Sequence, residues 1–409
     1  MNHSSAWRRP YLAAPIRSHR VLAVAALFAV TATPASALTV NFIDNGTVAG
    51  TPAELGFRRA AQYWESIITT PATINIEIAY EDLGPGILGG ASSARYLVGI
   101  EGVYGQLGAL GNSALDAQAI ANLRPLSLGT LGIGALDVIT PGYVSGNLGI
   151  DNATRVFDND GSYNNSVIVG SGANLRALGY GIPDANVDVS IAFSSTFAFD
   201  FEPTDGIDLG AYDFIGVALH EIGHGLGFIS GADDYDFLGC PNGPACGAFD
   251  DYPVNDDWWG YVMDLYRYSN DPTGVGPGGP QLDWAPGSPA FFSIDGGASA
   301  FLGGNYSTGT FNGDGWQASH WKQNGTCAAF VGIMNPYICN GTNSIITAAD
   351  LGLFDAIGWN LDVDVLENPD YAFSTADLRA VPEPATWTML LMGMGLVGAA
   401  FRRRARGPA

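Results

Sequence analysis

The stretch Asp213–Gly227, DFIGVALHEIGHGLG, decides how this chain is read. Val217, Leu219, Ile222 and Leu226 supply apolar contacts at helical spacing, and Asp213 stands where an N-cap is wanted. Gly225 and Gly227 predict a turn at the C-terminal end. His220 and His224 are four residues apart, so both imidazoles face one side of the helix and can reach a single ion. Glu221 lies about 100° further round. There it can hold a water beside the ion without being a ligand. An unpartnered His-Glu-His trio would be costly to bury in so apolar a helix.

Of the five histidines, His3 and His19 fall within residues 1–37, which leaves His220, His224 and His320. His320 sits in ASHWK, and Met334 follows in GIMNP (Gly332–Pro336). A catalytic zinc takes three protein ligands and keeps one position open. The three histidines are therefore candidate ligands of one Zn2+ ion, with Glu221 the candidate general base. Asp233 and Asp234 are rival third ligands, and imidazole is the commoner zinc donor.

Residues 1–37 read as a secretory signal. Arg8, Arg9, Arg17 and Arg20 form a basic region, VLAVAALFAVTA (21–32) is apolar, and Ala35-Ser36-Ala37 fits the cleavage rule. The apolar run is too short to span a membrane. At the other end, Val381-Pro382-Glu383-Pro384 precedes an uncharged apolar stretch, 385–401, and then Arg402, Arg403, Arg404 and Arg406. That stretch is near the minimum spanning length, and its arginines should stay cytoplasmic. The body between the two signals then lies outside. The three-part order over 381–406 resembles the PEP-CTERM sorting signal of Gram-negative bacteria. The resemblance implies an exosortase as partner and a destination at the cell envelope, the cell surface or beyond it. Membrane contact is expected only through this tail.

The chain carries 17 Lys and Arg against 40 Asp and Glu, a net charge of −23. Eight of those cations lie in the two end segments, so the body is more acidic still. It would repel nucleic acid and anionic lipid. Acidity of this kind commonly serves solubility. Four cysteines fall in two local pairs, Cys240 with Cys246 and Cys327 with Cys339. An oxidising compartment favours two local disulfides among the three connectivities available.

Residues 38–362 are read as the functional domain and 363–380 as an acidic linker. LTVNFID (38–44), TINIEIAY (73–80) and VDVSIAFS (187–194) alternate as strands, and 52–69 is a helix. Residues 84–149, rich in Gly, Ala and Leu, read as loops with one short helix at 113–123. Residues 231–315 read as an irregular insertion that shapes or covers the cleft. TAADLGLFDAIGW (347–359) is a late helix. Asp158-Asn159-Asp160-Gly161 matches part of a calcium loop but lacks the closing Glu, so a solvated turn is the plainer reading.

HEIGHGLGF (220–228) resembles the H-E-x-x-H-x-x-G helix of the metzincin metalloproteases. Most metzincins place a third His three residues after that Gly; here the position is Ser230, which rules out the compact motif. Leishmanolysin-like metzincins instead insert a long segment before the third His, which lies in an S-H-W-like context ahead of a Met-turn. Ser319-His320-Trp321 and Met334 match that order. The resemblance implies an α+β, two-lobed fold with a twisted mixed sheet and an active-site helix. It also implies a zinc-dependent endopeptidase acting on protein or peptide substrates. Met334 would pack beneath the ligands, and Tyr337 is a candidate hydrogen-bond donor to the transition state. The competing expectation is a surface or biofilm matrix protein whose zinc is structural or whose activity is lost.

Overall fold

The computed structural model describes residues 37–380, apart from 326, 328 and 329. The leader up to residue 36 and the sorting segment, including 385–401, lie outside the described residues. The fold is α+β and begins with a four-stranded mixed sheet. Its spatial order is Thr39–Asp44, Thr73–Glu81, Val189–Ser194 and Gly89–Ser93. The first three strands run parallel and the last is an antiparallel edge. Helix Pro52–Ile67 makes the crossover between the first two strands, as parallel neighbours require. Ile74, Ile76 and Ile78 are buried, and so is Asn75 on the opposite face. Both faces are covered, which blurs the period-two pattern.

The central helix, Phe214–Leu226, packs beside Pro52–Ile67, and the Trp64 indole N–H donates to the Leu219 carbonyl at 3.3 Å. The Asp213 carboxylate caps it, accepting the Gly216 N–H at 2.9 Å. Such a cap typically contributes about 1 kcal/mol. Burial pushes the Asp213 carboxyl above the usual carboxylate range, against its hydrogen bonds. Beyond the helix, the buried core runs without a break through Met263, Tyr266, Trp284, Trp321 and Trp359.

Three regions depart from the sequence reading. Residues 84–149 are not mainly loops. They hold the edge strand, a second strand Arg95–Gly99, helix Ile100–Leu110 and the first arm of a hairpin, Val138–Ser145 with Leu148–Asp158. The edge strand reads GGASS, which has little intrinsic preference for strand, so pairing with Val189–Ser194 decides its conformation. The insertion is not wholly irregular. It contains helix Ala232–Leu238 and a three-stranded sheet of 281–282, 267–269 and 291–292. It is sewn to the hairpin, with Trp284 N–H donating to the Ile139 carbonyl and Cys240 N–H to that of Ile150. Residues 363–380 are no linker. Ala372–Ser374 pairs with Ile345–Thr347, and the Thr375 hydroxyl donates to the Asp213 carboxylate at 2.6 Å. That bond ties the last folded segment to the cap of the central helix. Both expected disulfides, Cys240–Cys246 and Cys327–Cys339, are present.

Candidate metal centre

The central helix presents His220 and His224 one turn apart, and the chain returns after residue 315 to bring His320 to them. Nε2 of His224 lies 3.0 Å from that of His220 and 3.2 Å from that of His320. The remaining pair, His220 and His320, is also 3.2 Å apart. Four donors held about 2.0–2.1 Å from a tetrahedral zinc are about 3.4 Å from one another, so the triangle has close to the required size.

The tautomers point the same way. Nδ1 of His220 faces the Ile333 carbonyl at 2.8 Å, and Nδ1 of His224 faces that of Phe228 at 2.8 Å. Nδ1 of His320 faces the Gln317 carbonyl at 3.3 Å. A carbonyl only accepts, so each Nδ1 carries the hydrogen and donates it. Burial pushes His220 down to about 4 and His224 to about 3, with the neighbouring His220 adding to the latter. Burial and the two other rings take His320 well below its ordinary value. All three rings are therefore neutral near pH 7, and three bare Nε2 lone pairs converge on one point. A bound cation would make that arrangement favourable, and carbonyl-bonded Nδ1 atoms are the usual support of metal-bound imidazoles.

Two of the supporting carbonyls, those of Phe228 and Ile333, are held in place by identifiable bonds. Gly227 adopts φ +120°, its N–H returns to the His224 carbonyl, and Phe228 N–H returns to that of Gly223 at 3.2 Å. This Schellman turn aims the Phe228 carbonyl back at His224. Ile333 lies in the turn Gly332–Pro336, just before Met334. The buried Asp350 carboxylate accepts the Ile333 N–H at 2.9 Å, the Met334 N–H at 3.3 Å and the Trp321 indole N–H at 2.8 Å. Trp321 N–H also donates to the Met334 carbonyl at 2.9 Å, so the residue after His320 is pinned twice. Met334 is fully buried under the helix: a Cβ added at Gly223 would meet its sulfur at 2.6 Å. A glycine in the second spacer position of HEIGH is the sequence signal for that close approach.

Glu221 is 8% exposed and makes no hydrogen bond among the described residues. Burial alone pushes its carboxyl up to about 8. It lines an open cleft of about 450 Å3 together with the three histidines. The edge strand contributes Gly89, Gly90 and Ala91 to that cleft, and the segments after Met334 contribute Pro336, Tyr337 and Ile345. No lysine, arginine or aspartate is among its described lining residues, and none of the lining comes from 231–315. The insertion thus does not shape or cover the cleft. It packs instead against the hairpin, against Val169 and Arg95, and against the backbone on either side of it, residues 230–231 and 318–321.

Tyr337 packs against Trp316 and Phe330, and its hydroxyl accepts the Gln323 amide at 2.9 Å. Asp233 and Asp234 do not join the histidines. Asp233 accepts the Ala318 and Ser319 N–H groups at 2.6 and 3.0 Å, and Asp234 accepts the Tyr261 hydroxyl at 2.8 Å beside Arg95. At the partial calcium loop, Asp158 accepts the Asn164 amide and Asp160 accepts the Ser162 N–H, as a turn held by its own side chains. Sequence reasoning missed Asp350, whose role depends on contacts far apart in the chain.

Residues 380–404 match the family of the PEP-CTERM protein-sorting motif. No curated protein and no solved structure matches the chain. The sorting motif indicates export and placement at the cell envelope or surface of a Gram-negative bacterium, with sorting by an exosortase. Among the described residues no helix is long and apolar enough to cross a membrane.

Proposed function

We propose that this protein is an exported zinc-dependent endopeptidase of the metzincin type, resembling the leishmanolysin-like members with a long segment before the third histidine. The observation that carries the reading is the convergence of three Nε2 atoms, 3.0–3.2 Å apart, beside an unpartnered buried carboxyl in an open cleft. His220, His224 and His320 would hold the metal. Zinc, when bound, would lower the pKa of a water and polarise the scissile carbonyl. Glu221 takes the proton from the attacking water and returns it to the leaving amine. A cation among the histidines would draw its raised pKa back down, towards a range where the group both takes and gives a proton near neutrality.

The edge strand has no partner on its outer side among the described residues, and its Gly89, Gly90 and Ala91 line the cleft. An extended peptide would add there as a further strand, bonded through its main chain. The Tyr337 hydroxyl accepts from Gln323, so its own proton stays available to donate to the developing oxyanion.

A matrix protein with a structural zinc is the second reading, and the sorting motif suits it equally. Structural zinc sites are closed by four protein ligands. Here the cluster offers three, and no fourth His or Cys joins it among the described residues. The test is hydrolysis of a casein-type substrate by the exported protein, with and without chelator, beside Glu221→Gln. The endopeptidase reading expects chelator-sensitive cleavage and a loss of about 10²- to 10⁴-fold in the variant. Zinc binding with no hydrolysis would select the structural reading. Cleavage that survives both treatments would overturn the mechanism.

A further inference from the structure

The third histidine reaches the centre only after a long excursion, and a flexible loop of that length has little tendency to return its end to one place. Three aspartates close it. Asp264 accepts the Ser230 hydroxyl at 2.6 Å, the Gly231 N–H at 2.7 Å and the Tyr261 N–H at 2.8 Å, which fixes the start of the excursion. Asp236, on helix Ala232–Leu238, accepts the Phe311 and Asn312 N–H groups at 2.9 and 2.7 Å, which draws the returning chain onto that helix. Asp233, on the same helix, accepts the N–H groups of Ala318 and Ser319 and the Ser319 hydroxyl. The Ser319 oxygen in turn accepts the Ser230 N–H at 2.9 Å, so the two ends of the excursion clasp each other one residue before His320.

We propose that Asp233 is the positioning residue for the third metal ligand, its carboxylate setting where the His320 ring stands and thereby the metal affinity of the centre. The inference rests on the metal reading of the three histidines. Asp233 acts through Ser319 and touches neither the metal position nor the cleft lining. Asp236, bonded seven residues earlier in the returning chain, holds the scaffold and not the ring.

Competitive zinc titration of the full exported protein, with thermal unfolding of the metal-free form alongside, separates the two roles. Asp233→Ala is expected to weaken zinc binding about 10- to 100-fold, the range seen when a group supporting a ligand is removed. Asp233→Asn keeps one acceptor oxygen and should recover part of the affinity. Asp236→Ala should lower the unfolding temperature and leave zinc affinity within about twofold of the parent. Ser319→Ala removes one arm of the clasp and gives a milder readout should Asp233→Ala not fold. Equal zinc affinity in the parent, Asp233→Asn and Ser319→Ala would overturn the inference and leave the metal reading standing. A parent protein that binds no zinc would overturn both.

Discussion

The central helix and the segment that returns His320 solve one problem in opposite ways. The helix brings His220 and His224 to one face by backbone period: four residues at 3.6 per turn put two rings on one side. Its supports are local, with Asp213 at one end and the Gly227 turn at the other. The returning segment has no such period. His320 is placed by Asp233, by Ser319 bonded to Ser230, and by Trp321 held to Asp350 and Met334. The spacing of two candidate ligands is therefore written in nine consecutive residues, and the place of the third in carboxylates scattered over more than a hundred. The comparison also changes the meaning of the chain's acidity. Asp213, Asp233, Asp264 and Asp350 are not solubilising charges: each accepts backbone N–H groups that would otherwise be stranded in the interior.

The largest effect should come from removing a ligand. His220→Ala and His320→Ala are both expected to abolish stoichiometric zinc, read by metal analysis after dialysis. His320→Ala should keep the parent's far-ultraviolet dichroism, because the helix does not need the third ring to form. Retained zinc in His320→Ala would return the third position to another donor and break the comparison.

Next comes Asp350→Ala. It strands the Ile333, Met334 and Trp321 donors, so it should cost about 3 kcal/mol or more in denaturant unfolding. A cost below about 1 kcal/mol would mean that the turn around Met334 is held by packing alone. Gly223→Ala should cost about 1–3 kcal/mol, since the new methyl would meet Met334. A thermal shift too small to measure would show that Met334 has room to move.

The last prediction lies away from both regions and leaves the metal centre untouched. Burial, with Asp116 nearby, pushes Asp355 up to about 8. The folded chain then holds a proton there that the unfolded chain releases near 4. This group's contribution is greatest below about pH 4 and declines as pH rises towards 8. Asp355→Asn should flatten that decline by at most about 1.4 kcal/mol per pH unit. Zinc affinity measured at one pH should not move. An unchanged pH profile would show that Asp355 ionises freely in the folded chain.

The sequence carried the helix, its cap, its terminal glycine, three of the four sheet strands and the two cysteine pairs. Each is written in residues that are neighbours or in a short period. The edge strand escaped because GGASS has no side-chain pattern and takes its form from Val189–Ser194. The segment 363–380 escaped because acidic composition resembles a linker until Ala372–Ser374 finds Ile345–Thr347. Asp233 was visible as an acidic residue near the site. Whether it would bind metal or backbone was not, since a carboxylate serves either role and only the fold brings Ser319 to it.

The central claim is that three imidazoles, one of them delivered from far along the chain, share a single ion. X-ray absorption at the zinc edge on the exported protein loaded with one equivalent of zinc tests it directly. The expected spectrum shows three imidazole nitrogens at about 2.0–2.1 Å and one further light atom. A fit with two imidazoles, or a spectrum unchanged by His320→Ala, would contradict it.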